Sequence, residues 1–220
     1  IISDKRFELV SFTGSTKVGH RVSDVVGQRF GKKILELGGN NALIIMNDAD
    51  QKLALQAALF SAVGTCGQRC TSLRRLMIQD GVYDEVVGKL VNAYKSVRIG
   101  DPLNSTTLCG PLHNQAAVKM YVDGIERAKS QGGKVLIGGK VLSDRPGNFV
   151  EPTIIEISPE AEIVQEEIFA PILYVMKIND LAEGIKYNNS VPQGLSSSLF
   201  TTNQAAIFEW TGPLGSDCGI

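Results

Sequence analysis

Short apolar runs alternate along this chain with longer stretches of helical periodicity. After the first run, Leu9–Phe12, an apolar residue recurs at every fourth position, which is the spacing of one face of an α-helix. These residues are Val18, Val22, Val26 and Phe30. Strands that alternate with helices are typical of parallel βαβ units whose sheet is covered by the helices. The sequence therefore predicts an α/β fold.

The same alternation continues to the end of the chain. Further strands are predicted at Lys33–Leu37, Ala42–Met46, Leu76–Ile78, Val135–Ile137, Val150–Ile157, Leu173–Ile178 and Leu195–Thr201. Further helices are predicted from Asp50 to about Val63 and at Asp84–Lys95, Asn114–Ser130, Leu181–Tyr187 and Gln204–Thr211, with Val118, Tyr121, Val122 and Ile125 facing inward. The Gly pair in Gly38–Asn41 permits hinge geometry, so we expect domains at 1–39 and 40–220.

Composition excludes several classes of protein. Hydrophobic residues make up 43% of the chain and the net charge is −1, so an intrinsically disordered chain is excluded. The charge balance argues against nucleic acid or an anionic membrane as the main partner, and no apolar run is long enough to span a membrane. Four cysteines in 220 residues form no dense disulfide framework. We therefore expect a reducing compartment, the cytoplasm, with mitochondria as the alternative.

Two residues have the chemistry of a nucleophile and a base. Cys70 follows a predicted helix in a loop of small and polar residues, and the cation of Arg69 beside it favours a thiolate. Its alternative is a buried structural cysteine. Glu36 lies in the apolar run Ile34–Leu37, where desolvation would raise the pKa of its carboxyl and make it a better base. Its alternative, which strand alternation favours, is a glutamate on the solvated face of an edge strand.

Three other groups could bind a ligand. The turn at Gly14 and Ser15 precedes a helix, whose N-terminal N–H groups can bind phosphate, although an ordinary helix cap explains it equally well. The paired acids Glu166 and Glu167 could bind a ribose or a cation, or simply be solvated. A Cys3His zinc site is the third, and its members would be Cys66, Cys70, Cys109 and His113. A strand and a long helix separate its two halves, so we expect no metal.

Four motifs occur in a fixed order along the chain. They are Phe12–Gly19, Leu35–Gly39 around Glu36, Gly67–Thr71 around Cys70, and Glu166–Pro171. Together they resemble the cofactor-helix, glutamate, nucleophile and ribose-binding motifs of the NAD(P)-dependent aldehyde dehydrogenase superfamily. The resemblance covers essentially the whole chain. It implies the end of a Rossmann-type NAD-binding domain, residues 1–39, followed by most of an α/β catalytic domain, residues 40–220.

Smaller features resemble the antiquitin branch of that family, the α-aminoadipic semialdehyde dehydrogenases. Asn40 and Asn41 stand where many relatives carry Lys-Ser, and Ala170 stands where most carry Gly. Arg69 before the nucleophile also matches this branch. The resemblance thus implies a small aldehyde substrate that carries a carboxylate, for which the guanidinium of Arg69 is a suitable partner.

The resemblance also implies a mechanism and its site residues. The Cys70 thiolate attacks the aldehyde, a hydride passes to the nicotinamide, and Glu36 activates the water that hydrolyses the resulting thioester. Six residues are expected to contact NAD. They would lie near its pyrophosphate, its nicotinamide or the nicotinamide ribose, or pack against the cofactor. They are Gly14, Ser15, Leu37, Gly38, Glu167 and Phe169. NADP stays open as the cofactor, and relatives are often homotetramers.

The first residue is Ile1, and the stretch Asp217–Ile220 reads as the start of a strand. We therefore expect an internal piece of a longer protein. The family's oxyanion-holding Asn and ribose-holding Lys would lie outside it, so residues 1–220 alone are expected to be inactive as a dehydrogenase. The alternative to an aldehyde-oxidising enzyme is a non-catalytic piece or binding module that keeps the fold.

Overall fold

The computed structural model of the chain describes residues 1–217 and 219–220. Within it the chain divides into two compact units, Ile1–Gly39 and Asn40–Ile220. The strand start expected at Asp217–Ile220 includes Cys218, which lies outside the described residues. Each unit is described here by itself.

The first unit is one βαβ element. Strands β1 (Leu9–Thr13) and β2 (Lys32–Glu36) pair in parallel, and helix α1 (Thr16–Gln28) connects them. Ser15 caps the helix by accepting a hydrogen bond from the Val18 amide. Val22 and Val26 of the predicted stripe are buried. The other two members of the stripe are exposed, Val18 to 45% and Phe30 to 98%, and Phe30 lies beyond the end of the helix.

The second unit is built on a six-stranded sheet with the strand order β5-β6-β7-β4-β3-β8. Its strands are β3 (Asn41–Ile45), β4 (Leu73–Gln79), β5 (Lys134–Ile137), β6 (Thr153–Glu156), β7 (Ile172–Ile178) and β8 (Ser197–Phe200). Its helices are α2 (Gln51–Val63), α3 (Asp80–Lys95), α4 (Gln115–Ser130), α5 (Leu181–Asn188) and α6 (Gln204–Trp210), and short 3-10 turns occupy Gly64–Gly67 and Glu162–Gln165. The predicted α/β class is confirmed.

The central strands form the core. All five residues of β3 are buried, which requires cover on both faces of the sheet. Helix α2 begins at its cap Asp50 and places alanines at every fourth position, Ala54, Ala58 and Ala62, in the core. The longest helices, α3 and α4, have 16 residues each. Among residues 1–217 and 219–220, none of the helices is both long and apolar enough to cross a membrane.

One strand departs from the expected parallel arrangement. β5 pairs with β6 in the antiparallel sense, while the other neighbours in this sheet are parallel. The connection between them contains no helix and folds back on itself, with an antiparallel bridge between Val141 and Val150. A direct return of this kind joins antiparallel strands, whereas parallel strands need a crossover.

Two helices also differ in detail from the prediction. Helix α3 begins at Asp80, four residues before the predicted start, because the chain turns directly from β4 into the helix. In α4, the side chain of Val122 is 39% exposed, whereas Val118, Tyr121 and Ile125 are buried as predicted. Val122 lies at the margin of the buried stripe that those three residues form.

We expect truncation of Leu76 to destabilise the second unit strongly. Leu76 lies in β4 with its side chain fully buried, so Leu76→Ala should lower the free energy of unfolding by about 2–5 kcal/mol. The matched control is Leu103→Ala, which removes the same atoms from a side chain that is 93% exposed. It should change the free energy of unfolding by less than about 0.5 kcal/mol. Urea unfolding measures both, and equal losses would contradict the described core.

Candidate active site

Cys70 lies in a tight loop between α2 and β4. After α2 the chain makes a 3-10 turn in which three successive residues, Thr65, Cys66 and Gly67, have positive φ angles of 56°, 54° and 66°. Two of them are not glycine, and such residues in the left-handed region cost of order 1–3 kcal/mol each unless the surroundings hold them. The loop conformation therefore depends on its neighbours. The side chain of Cys70 is partly exposed.

The carbonyls of the loop are fixed from the adjacent strand. The Asn41 side-chain amide donates to the carbonyl oxygens of Cys70 and Ser72, both at 2.8 Å. Asn41 is buried and is the first residue of β3, which pairs in parallel with β4. The Asn41 side chain thus holds the backbone of the predicted nucleophile.

Gly67 brings the Cys70 loop against the segment Glu166–Pro171. A Cβ atom on Gly67 would lie 2.5 Å from the carbonyl carbon of Ala170 and 2.7 Å from the nitrogen of Pro171. These are backbone atoms that cannot rotate away, and the φ of Gly67 is also left-handed. Glycine is therefore required for this approach. It places the loop with Cys70 beside the segment with Glu167 and Phe169.

A buried guanidinium also joins the two segments. Arg74, on β4, donates to the carbonyls of Gly67 at 3.2 Å and Arg69 at 3.1 Å in the loop, and to the carbonyl of Ile168 at 2.6 Å in the segment. Its side chain also lies 3.6 Å from the Glu167 carboxylate. Burial lowers the pKa of Arg74 to about 10, and Glu167 opposes that shift, so the group is protonated at neutral pH.

The two acids of the Glu166–Pro171 segment have different partners. Glu166 receives two hydrogen bonds from Arg127 on α4, which lower the pKa of its carboxyl. Glu167 faces Arg74 instead and is partly exposed, as is Phe169, whose ring lies 5.3 Å from the Arg74 guanidinium carbon. Glu166 is thus tied to α4, whereas Glu167 faces the Cys70 loop.

Arg69 packs back onto helix α2. Its guanidinium carbon lies 5.3 Å from the centre of the Phe60 ring, and its Nη2 donates to the Phe60 carbonyl at 3.4 Å. Among the described residues, its buried Nε has no hydrogen-bond partner. The guanidinium is therefore supported by an aromatic face but only weakly hydrogen-bonded.

Cys66 and Cys109 lie buried next to each other. Both side chains are fully buried, and the nearby Cys109 thiol together with burial raises the pKa of Cys66. His113 is exposed, and its amide bonds the side chain of Gln68. In the part of the chain that is described, no group of three or more His, Cys, Asp or Glu residues could hold a metal ion. Cys218 lies outside that part.

The remaining predicted site residues belong to the first unit. Gly14 follows β1, and its amide donates to the carbonyl of Glu36 at 3.0 Å, which joins the ends of β1 and β2. Ser15 caps α1 at that same end. The Leu37 side chain occupies the space that a side chain on Gly19 of α1 would need. Gly38 follows Leu37 in the chain. The unit thus gathers Gly14, Ser15, Glu36 and Leu37 where its two strands end.

The Glu36 side chain is exposed to solvent in residues 1–220. Glu36 is the last residue of β2. β2 pairs with β1 in a two-stranded sheet and is mostly exposed along its length in residues 1–220. The alternative of a glutamate on a solvated edge strand describes this placement.

Sequence reasoning missed Arg74 and Asn41 as parts of the site. The sequence does contain a signal for Arg74. Two adjacent arginines, Arg74 and Arg75, stand in a strand whose other residues are mostly apolar, and charged residues are rarely fully buried. No comparable signal marks the hydrogen bonds of Asn41, which depend on the parallel pairing of β3 with β4.

We predict that Gly67→Ala destabilises the second unit. The added methyl meets the Ala170–Pro171 backbone and demands a left-handed alanine, so the free energy of unfolding should fall by about 1–3 kcal/mol. Gly88→Ala is the matched control, since Gly88 lies in α3 and, apart from its chain neighbours and the nearby backbone of that helix, no described atom is within 4 Å of its added Cβ. That change should raise stability by up to about 1 kcal/mol. Urea unfolding measures both, and a neutral Gly67→Ala would contradict the close approach.

The chain is similar to known proteins over its whole length. A model described as the aldehyde dehydrogenase family matches residues 1–219. Aldehyde dehydrogenase family 7 member B4 of Arabidopsis thaliana is 58% identical over 220 residues, and α-aminoadipic semialdehyde dehydrogenase of Rattus norvegicus is 55% identical over 218 residues. Those matches cover 100% and 99% of this chain but only 43% and 40% of the relatives' lengths.

A solved structure is similar in fold as well. Betaine aldehyde dehydrogenase from Staphylococcus aureus, determined in complex with NAD+, superposes with a TM-score of 0.89 at 30% identity. The superposition covers 93% of this chain and 42% of that one. The family match extends across both compact units and includes all four motifs. The chain therefore belongs to the aldehyde dehydrogenase family.

Proposed function

We propose that the protein oxidises an aldehyde to a carboxylate with NAD, and that the aldehyde is α-aminoadipic semialdehyde or a close analogue. One observation carries the proposal: a partly exposed Cys70 lies in a strained loop that Gly67 and Arg74 hold against the segment of Glu167 and Phe169. The chain spans about two fifths of its relatives' length, so the activity of the whole protein is proposed here.

Cys70 is the nucleophile in this proposal. Its thiolate adds to the aldehyde carbon and forms a thiohemiacetal, and loss of a hydride from that carbon leaves a thioester on sulfur. Sulfur suits both steps, because it is a good nucleophile and a good leaving group. The two hydrogen bonds from Asn41 hold the backbone from which Cys70 attacks. NAD, when bound, supplies the acceptor for the hydride.

Glu36 is the proposed base for the second half of the reaction. Glu36 takes a proton from water, and the resulting hydroxide adds to the thioester carbon. The bond from that carbon to the Cys70 sulfur then breaks, which releases the carboxylic acid. The position of Glu36 at the end of β2, followed by Leu37 and Gly38, leaves the carboxylate open to solvent.

The residues proposed to hold NAD have suitable chemistry. Gly14 and Ser15 lie at the N-terminus of the 13-residue helix α1, whose free amides and dipole favour a pyrophosphate. Glu167 presents a partly exposed carboxylate that can accept hydrogen bonds from ribose hydroxyls, and Phe169 presents a partly exposed ring. Leu37 and Gly38 are proposed to touch the nicotinamide. The discrimination between NAD and NADP is not assigned to any of these residues.

Arg69 is the proposed partner of the substrate carboxylate. Its guanidinium makes one long hydrogen bond to Phe60 and stacks on the ring of that residue. A guanidinium with few internal hydrogen bonds keeps N–H groups for a carboxylate ligand. This role supports a semialdehyde that bears a second, charged end.

The setting of the protein is proposed on the same grounds. We propose that residues 1–39 are the end of an NAD-binding domain and residues 40–220 most of a catalytic domain. A homotetramer is the proposed assembly, and the cytoplasm is the proposed compartment, with mitochondria as the alternative. The proposed partner is a small aldehyde, with no nucleic acid and no membrane.

The experiment that tests the proposed function is NADH formation with α-aminoadipic semialdehyde, followed by absorbance. We expect turnover from the longer protein that contains these residues and a loss of at least about a thousandfold in kcat in its Cys70→Ser variant. The chain of residues 1–220 alone should be inactive.

The matched control is Cys109→Ser, which makes the same atomic change at a buried cysteine away from the proposed chemistry and should keep turnover. An active Cys70→Ser variant would remove the assigned nucleophile. A longer protein that oxidises none of several aldehydes would favour the non-catalytic alternative.

A further inference from the structure

Arg74 is a fully buried cation whose burial requires a physical reason. Its side chain is only 2% exposed, and burying a guanidinium costs free energy that must be recovered through hydrogen bonds and charge pairing. Apolar residues occupy most of β4, so a buried arginine in this strand needs partners that offset the cost of its burial. The contacts of Arg74 therefore indicate what the guanidinium does.

Those contacts divide between two chain segments. On the Cys70 loop, Nη2 donates to the carbonyls of Gly67 and Arg69, the residue next to Cys70. On the other segment, Nη1 donates to the carbonyl of Ile168, between Glu167 and Phe169. The side chain also pairs with the Glu167 carboxylate and lies over the Phe169 ring. One planar group thus fixes three carbonyls, a carboxylate and an aromatic ring.

Arg75, the next residue, provides an internal comparison. It is equally buried, but successive side chains of a strand point to opposite faces of the sheet. Arg75 donates to the carbonyls of Asn40, Tyr187 and Asn188. None of these bonds involves the Cys70 loop or the segment of Glu167. Arg75 is therefore a buried arginine whose contacts are elsewhere in the fold.

We propose that Arg74 is a positioning residue for the oxidation step, which holds the Glu167 carboxylate and the Phe169 ring at a fixed place relative to the loop of Cys70. The inference rests on the proposed function, since Glu167 and Phe169 matter as cofactor residues. Arg74 acts through them and touches neither substrate nor cofactor itself. A guanidinium is needed because its several N–H donors, held in a fixed fork, let one side chain bond to two segments at once.

The test compares the same substitutions at the two arginines in the longer protein. Arg74→Lys keeps the charge toward Glu167 but loses the fork, and Arg74→Met loses both. Arg75→Lys and Arg75→Met are the matched controls. Calorimetry gives the Kd for NAD+, steady-state kinetics gives the KM for the aldehyde, and thermal unfolding gives Tm.

We expect Arg74→Lys to weaken NAD+ binding about tenfold and Arg74→Met to weaken it further, because bonds to a charged group are lost beside Glu167. The KM for the aldehyde should change by less than about twofold in Arg74→Lys. The Arg75 variants should lower Tm as much as the Arg74 variants do and leave the Kd for NAD+ unchanged. A merely structural role for Arg74 does not produce this split.

Two results would overturn the inference, and they are distinguishable. If the wild type binds NAD+ and the Arg74 variants bind it as the Arg75 variants do, Arg74 is structural only and the proposed function stands. If the wild type binds no NAD+ and oxidises no aldehyde, the proposed function fails and this inference fails with it. Arg74→Lys preserves the positive charge and much of the side-chain length, so it decides the matter if Arg74→Met does not fold.

Discussion

The second unit depends on the close approach of Gly67 to the backbone of Ala170 and Pro171. Strands β4 and β7 are parallel neighbours, so the segments that precede them reach the same edge of the sheet side by side. The loop of Cys70 precedes β4, and the segment of Glu167 precedes β7. A side chain at position 67 would push these segments apart. The sheet topology therefore places them together, and glycine permits their contact.

Polar groups then fix what the backbone contact brings together. Arg74 bonds both segments, and Asn41, at the start of the neighbouring strand β3, bonds the Cys70 and Ser72 carbonyls. The left-handed residues of the loop, Thr65 and Cys66, are held within this framework, with Cys66 buried against Cys109. Strain that a free loop would release is thus retained beside the proposed nucleophile.

Much of this fold follows from periodicity, while the site depends on contacts that periodicity does not encode. The fourfold spacing of Val22 and Val26 predicts their burial correctly, but Phe30 follows the same spacing past the end of the helix. Around Glu36 the sequence allows either a buried or a solvated carboxylate, and in residues 1–220 that side chain is exposed at the end of β2. The Ile168 carbonyl that Arg74 binds is 94 residues away along the chain, and the two become neighbours only through the pairing of β4 with β7.

The most direct test of this account is hydrogen exchange of two amides in mild urea. The Ser72 amide is bonded to the Arg69 carbonyl in the loop, and the Ala170 amide to the Ile168 carbonyl in the segment. If Gly67 and Arg74 make the loop and the segment one structural element, both amides should exchange through one opening, with the same free energy and the same urea dependence. If the loop opens while the segment stays protected, or the reverse, the two are independent and the account is wrong.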